Sequence, residues 1–450
     1  MFLRSSFCRV AAAGVGAWLA LGLPSATASA PSIVITNLPA YGSSSGNLSG
    51  LVLNTTPATH AVLVFIYVAG GWYSKPSCAS QLTAIQSDGS WTADITTGTS
   101  DKYATEVAAF LVSTNYSLAC VNGSASLTIP SQAEAVVYAN RLNPSSRHFT
   151  FSDYGWSVKT SSGSLAGPGP NYFSDSTNTV WLDAQGALHL KINYQKGGWQ
   201  CAEVISDRSF GYGQYRFSIS APVSVLRSNT VLGMFTWSND SAYNDREIDI
   251  EMSRWGYSFG STNVANYAIS PYGTGQVLRF GLPATATNTT HSFIWQSNSI
   301  AFRSLNGGFS ASPAASNILQ SWTNSTAIPA GGEQVRINLW LNHGTAPDNG
   351  QPVEVVISNF TFVPLGTPPS ATLGRITGLT NGPVEVNVQS MADYHYQILS
   401  SSNLTKWTSL GTVLATNSGI AFPSLPVSFQ FTDTNTVSSS PRFYRALTQP

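Results

Sequence analysis

Short apolar runs recur along the chain, cut by Gly, Pro, Asn and Ser, and no long segment carries the spacing of an amphipathic helix. Ala61–Val68 (AVLVFIYV) predicts a buried strand ended by Gly70-Gly71. Gln86–Trp91 (QSDGSW) predicts a turn into a further strand, and Glu106–Val112 predicts another. Residues 31–140 therefore predict a small β-sandwich.

A longer stretch, residues 147–364, carries strand-like runs at Leu188–Tyr194, Tyr215–Ser220, Arg246–Met252, His291–Trp295, Val335–Leu341 and Val353–Phe362. These predict an antiparallel sandwich or jelly roll with a deep core. Residues 365–371 (LGTPPSA) have linker composition. Residues 372–450 then show runs at Val384–Val388, Tyr394–Leu399 and Ser428–Phe431, which predict a compact accessory sandwich. The expected fold class is all-β, a central β-jelly-roll sandwich flanked by two smaller β-sandwich domains.

Composition narrows the function. Only 9% of the 450 residues are charged, with 21 basic against 21 acidic, so nothing marks a nucleic-acid or anionic-membrane partner. Hydrophobic content of 42% excludes a disordered chain. Arg4 and Arg9, the apolar stretch Val10–Leu23 and the small residues Ala26-Thr27-Ala28 predict a signal peptide cleaved after Ala28. The expectation is a secreted monomer, free of the membrane once the signal is removed. Export permits disulfides: Cys78 and Cys120 are candidates to pair, which leaves Cys201 as a buried thiol.

The most informative stretch is Asp245-Arg-Glu-Ile-Asp-Ile-Glu-Met252. Side chains alternate across a strand, so Asp245, Glu247, Asp249 and Glu251 are expected on one face, with Ile248, Ile250 and Met252 in the core. Such a row repels itself and gains nothing structural. It makes sense in a cleft where carboxylates work, although calcium binding or a solvated face are competing readings. Glycoside hydrolysis needs a carboxylate nucleophile and a carboxylic acid, about 5–5.5 Å apart when configuration is retained. Glutamates four residues apart have Cα atoms roughly 13 Å apart in an extended strand, so their side chains must lean together over Asp249.

Glu247-Ile-Asp-Ile-Glu251 resembles the signature of family 16 glycoside hydrolases, the lichenase and laminarinase group. Ser209–Phe217, Leu232–Trp237, His291–Trp295 and Val335–Leu341 resemble that family's other strands in the same order. The resemblance implies a concanavalin A-like jelly roll, with Glu247 as nucleophile, Asp249 assisting and Glu251 as acid/base. It implies a polysaccharide substrate and no required cofactor, with room for a structural calcium. Ser253-Arg-Trp-Gly256 departs from the family's usual continuation and leaves the substrate open among mixed-linkage glucan, laminarin, agar, carrageenan and other glycans. The same glutamates would serve a transglycosylase, and the same fold a non-catalytic sugar-binding protein.

Sugar rings stack on aromatic faces. Trp237, Trp255, Trp199 and Trp340 are candidate subsite platforms, with Tyr212 and Tyr267 behind them. Arg254 is a candidate for binding an anionic glycan or, on the favoured reading, for offsetting the carboxylates. Trp72 and Tyr73 are expected to cap a core or, alternatively, to offer a sugar platform. His291 and His343 are expected to hydrogen-bond near strand ends.

Overall fold

A computed structural model describes Pro31–Gln449 apart from residues 118, 221, 224–225, 258–262, 366–370, 379–382, 392–393, 416–425 and 435–441. The expected signal peptide and most of the expected linker lie outside the described residues. Regular structure among those described is strand, with helical pieces limited to short 3-10 turns.

The N-terminal part pairs Ser32–Asn37, Asn47–Leu53 and Ser90–Asp94 in one sheet. A second sheet runs Asn122–Ser124, Gly71–Lys75, His60–Val68, Glu106–Ser113 and Ala135–Asn140, with Leu82–Ala84 added to His60–Val68. The uninterrupted apolar runs are explained by burial of this second sheet on both faces. Val62, Val64, Ile66, Val107, Ala109 and Leu111 pack toward the first sheet around Trp91. Leu63, Phe65, Ala108, Phe110 and Tyr138 form a separate core on the opposite face, with Trp72 and Leu127. Cys78 and Cys120 are joined by a disulfide, their Cα atoms 5.2 Å apart, and Cys201 is a buried free thiol.

The central part is a long antiparallel ladder folded over on itself. One half runs Val277–Gly281, Asn263–Ile269, Ile248–Met252, Thr230–Trp237, Gln334–Leu341 and Gly198–Ser209. The hairpin from Gly198–Ser209 back to Leu188–Gln195 turns the ladder into the other half. That half continues through Val353–Pro364, Gly213–Ile219, Thr289–Gln296, Ser299–Asn306 and Ile318–Asn324. Side chains from both halves share one core, including Ile248, Ile250, Met252, Phe217 and Phe293. Tyr267, one of the expected cleft aromatics, lies in that core, stacked on Phe302 at 4.7 Å with its hydroxyl donated to Ser304. His291 is likewise buried, bonded to Ser304 and Thr289, and burial pushes its imidazole down to about 3.

The C-terminal part forms two three-stranded sheets, Thr372–Gly378 with Val384–Met391 and Pro426–Asp433, and Thr408–Leu414 with His395–Ser401 and Phe443–Gln449. Val386, Val388, Tyr396 and Ile398 meet between them.

Candidate active site

The carboxylate strand, Ile248–Met252, lies between Thr230–Trp237 and Asn263–Ile269. Its register fixes what stands beside each acid. Glu251 is level with Gly233 on one side and Asn266 on the other, and Asp249 with Phe235 and Ala268. One strand further, Asn338 faces Gly233 and Arg336 faces Phe235. Gly233 is required here, because a β-carbon at that position would meet Asn338 Oδ1 at 2.5 Å. The result is a floor of acids and amides under a cavity of about 670 Å³, lined also by Trp237, Trp255, Trp340, Tyr272 and Arg279.

Asp245 is not on this face. The strand begins at Ile248, and Ser241–Arg246 is a tight turn in which Asn244, Asp245 and Arg246 have φ of 49°, 56° and 50°. Asn and Asp tolerate the left-handed region, whereas Arg246 incurs about 1–2 kcal/mol there. The expected row of four acids is therefore a row of three.

Burial is the main cause that raises all three carboxyls. Glu247 is pushed up to about 7, with Asp245 adding repulsion and Tyr272 and Arg336 opposing it. Glu251 is also pushed up to about 7, Glu247 adding repulsion while Asn266 and Arg279 oppose it. Asp249, wedged between the two glutamates, is raised well above its ordinary value by burial and by both neighbours. Three buried like charges this close are not all ionised at neutral pH, so the cluster retains proton there.

Specific donors distinguish the acids. Tyr272 donates its hydroxyl to Asp249 Oδ2 at 3.0 Å and also hydrogen-bonds Glu247. Asn266 donates to Glu251 Oε2 at 3.0 Å, and is itself oriented by the Trp255 indole, which donates to Asn266 Oδ1 at 2.8 Å. Trp255 thus sets a partner of Glu251 as well as walling the cleft, edge-on to Trp340 with centroids 6.0 Å apart. At the far side of the floor, wholly buried Glu203 accepts from Lys159 Nζ at 2.7 Å and Arg336 at 3.0 Å. The Arg336 guanidinium lies 5.9 Å from the Trp237 ring centre.

Two expected platforms lie elsewhere. Trp199 packs edge-on to Tyr194 and against the core, outside the cavity lining, because it stands at the hairpin end of its strand. Tyr212 packs on Trp295 and donates its hydroxyl to Ile328 O. Arg254 is buried and donates to Leu226 O, having left the floor where the strand ends after Met252, so it does not offset the carboxylates. Trp72 is fully buried and offers no sugar platform. Sequence reasoning missed Tyr272, Asn266, Asn338, Glu203, Lys159, Arg279 and Arg336. Asn266 on the adjacent strand, and Asn338 and Arg336 two strands away, stand level with Glu251 or Asp249 on the same face. Among the described residues, no group of three or more His, Cys, Asp or Glu is arranged to hold a metal ion.

No family model matches the chain, and no curated protein matches it either. Solved structures to which it is similar are β-glucanases and laminarinases. The Bacillus licheniformis β-glucanase aligns with 21% identity and a TM-score of 0.35, over 49% of this chain and 99% of that one. A lichenase from a mouse hindgut metagenome aligns with 18% identity and a TM-score of 0.35, over 48% of this chain and 96% of that one. The laminarinase of Flavobacterium sp. UMI-01 aligns with 12% identity and a TM-score of 0.36, over 46% of this chain and 92% of that one.

Proposed function

We propose that this chain is an exported, endo-acting glycoside hydrolase that cuts internal bonds of a β-linked polysaccharide with retention of configuration. The observation that carries this reading is the row Glu247, Asp249, Glu251 on the floor of one tryptophan-walled cavity, with both glutamates pushed up to about 7 and Asp249 also raised by burial. Glu247 attacks the anomeric carbon and the leaving oxygen departs with a proton from Glu251. Glu251, now ionised, takes a proton from water as water displaces Glu247. The Asn266 donor favours that ionised form of Glu251. Asp249 is coupled by charge to both glutamates, and the Tyr272 hydroxyl steadies it beside Glu247.

The test is a panel of mixed-linkage β-glucan, laminarin, agar and carrageenan, with reducing ends counted and products sized. Midchain cleavage to oligosaccharides is expected for at least one glycan. Tight binding with no new reducing ends would identify a sugar-binding protein instead.

The Asn266 contact gives a second expectation. Asn266→Ala removes a hydrogen bond to a charged acceptor, of about 1.5–3 kcal/mol, so kcat/KM should fall about 10- to 100-fold. The lost donor favoured ionised Glu251, so its proton is held to higher pH and the alkaline limb of the pH–rate profile should move upward. A loss of rate with that limb unmoved would disconnect Asn266 from the acid.

A further inference from the structure

The turn that delivers the nucleophile strand is held in part from outside the jelly roll. Within the central part it is held by Ser238 N–H to Asp245 O, Tyr243 N–H and Asp245 N–H to Asp240 O, Ala242 N–H to Asp240 Oδ1, Glu247 N–H to Asn244 O and the Thr236 hydroxyl to Arg246 O. Three successive left-handed residues do not hold themselves in that shape. Further restraints come from the N-terminal sandwich. The Trp72 indole donates to Asn239 O at 3.2 Å, Leu127 N–H to Asp240 Oδ1 at 3.0 Å, and Ile129 N–H to the Tyr243 hydroxyl at 2.9 Å. Glu106 also hydrogen-bonds Asn239, a residue that lines the cleft.

Arg246 sits at the joint and is fully buried. It donates to Asp240 Oδ2 at 3.1 Å, Ser238 Oγ at 3.0 Å and Pro329 O at 2.8 Å, and its guanidinium lies 4.6 Å from the Tyr243 ring centre and 5.6 Å from that of Tyr138. Glu106 and Tyr138 both project from the outer face of the doubly buried N-terminal sheet, and Glu333 completes the acidic surround. The approach is close: a β-carbon on Gly332 would meet Glu106 Oε1 at 1.7 Å. A charged group this deeply buried holds only with its partners in place. Its neighbour in sequence is Glu247.

We propose that the N-terminal sandwich positions the site through one of its two faces: it clamps residues 238–246, and through Arg246, a positioning residue, it sets where Glu247 and Asn239 stand in the cleft. The inference rests on the hydrolase reading for its kinetic consequence, but the clamp has a readout of its own.

The experiment uses the full chain. Trp72→Phe with Tyr243→Phe removes one donor and one acceptor across the joint and leaves an aromatic ring at each position. Trp91→Phe is the control, a comparable loss in the other core of the same sandwich. Amide hydrogen exchange over 238–247 should quicken at least about tenfold in the double variant, while Glu106–Ser113 and Gln334–Leu341 stay protected. On whichever panel glycan the wild type cleaves, kcat should fall at least about tenfold with KM within about twofold, and Trp91→Phe should leave kcat unchanged. Unaltered exchange in the turn overturns the clamp. A loosened turn with full kcat, or an equal loss of kcat in Trp91→Phe, overturns the positioning role. A loosened turn in a protein whose wild type cleaves no glycan supports the clamp and overturns only the hydrolase reading.

Discussion

Glu247→Ala is expected to lower turnover of any cleaved glycan by about 10⁴-fold or more, since no other carboxylate on the floor is placed to take over the attack. Azide or formate should restore part of the rate by entering the space left by the side chain, and the product should then carry inverted configuration, because a single displacement replaces two. The fold should not suffer. Glu247 has a folded pKa of about 7 against an ordinary value of 4.5, so the folded state holds its proton more tightly than the unfolded chain does. Stability from this group is therefore full at low pH and is lost as pH rises through that window. Removing the carboxyl should leave Tm unchanged at pH 5 and level or higher at pH 8. Substantial anion-independent activity would take the nucleophile role from Glu247. A fall in Tm at pH 8 would contradict the reading of its burial.

Sequence pattern carried the sheets well and the site partly, for identifiable reasons. Period-two alternation through Ile248, Ile250 and Met252 places three acids on the opposite face, and that inference needs only the geometry of one strand. Extending it back to Asp245 fails, because alternation says nothing about where a strand begins. The segment before it, Ser238-Asn-Asp-Ser-Ala-Tyr-Asn-Asp245, is dense in residues that favour turns and left-handed backbone, and that signal was on the page. Arg254 and Trp255 lie just beyond the strand, where alternation no longer applies. One is turned under toward Leu226, and the other turns back over the cleft with φ of 53°. Trp199 and Tyr212 were chosen for residue type alone, and type does not separate cleft from core in a sandwich this rich in aromatic rings.

The N-terminal region was legible as a sandwich but not as a partner of the site. A strand buried on both faces announces itself by an unbroken apolar run, yet the run does not say what covers the second face. Here part of that cover is the turn before Glu247. The one hint was chemical. Arg246, Glu106 and Glu333 are each costly to bury singly. Their joint burial makes sense only across a contact between the two parts.

Glu251→Gln should separate catalysis from binding most sharply, because it removes a proton donor and leaves the shape of the floor unchanged. With natural glycans the leaving oxygen then departs unprotonated, and kcat/KM should fall about 10²- to 10⁴-fold. An aryl glycoside with a low-pKa phenol needs no such help, so its first step should be largely spared. The second step still lacks its base, since glutamine takes no proton from water, and glycosyl-enzyme should accumulate. The expected observation is a burst of phenol equal to the enzyme present, followed by slow turnover, with sugar covalently held on Glu247 in the mass spectrum. A burst with the adduct on another residue would reassign the nucleophile. If neither burst nor adduct forms while glycan affinity holds or tightens, the cleft binds sugar without cutting it.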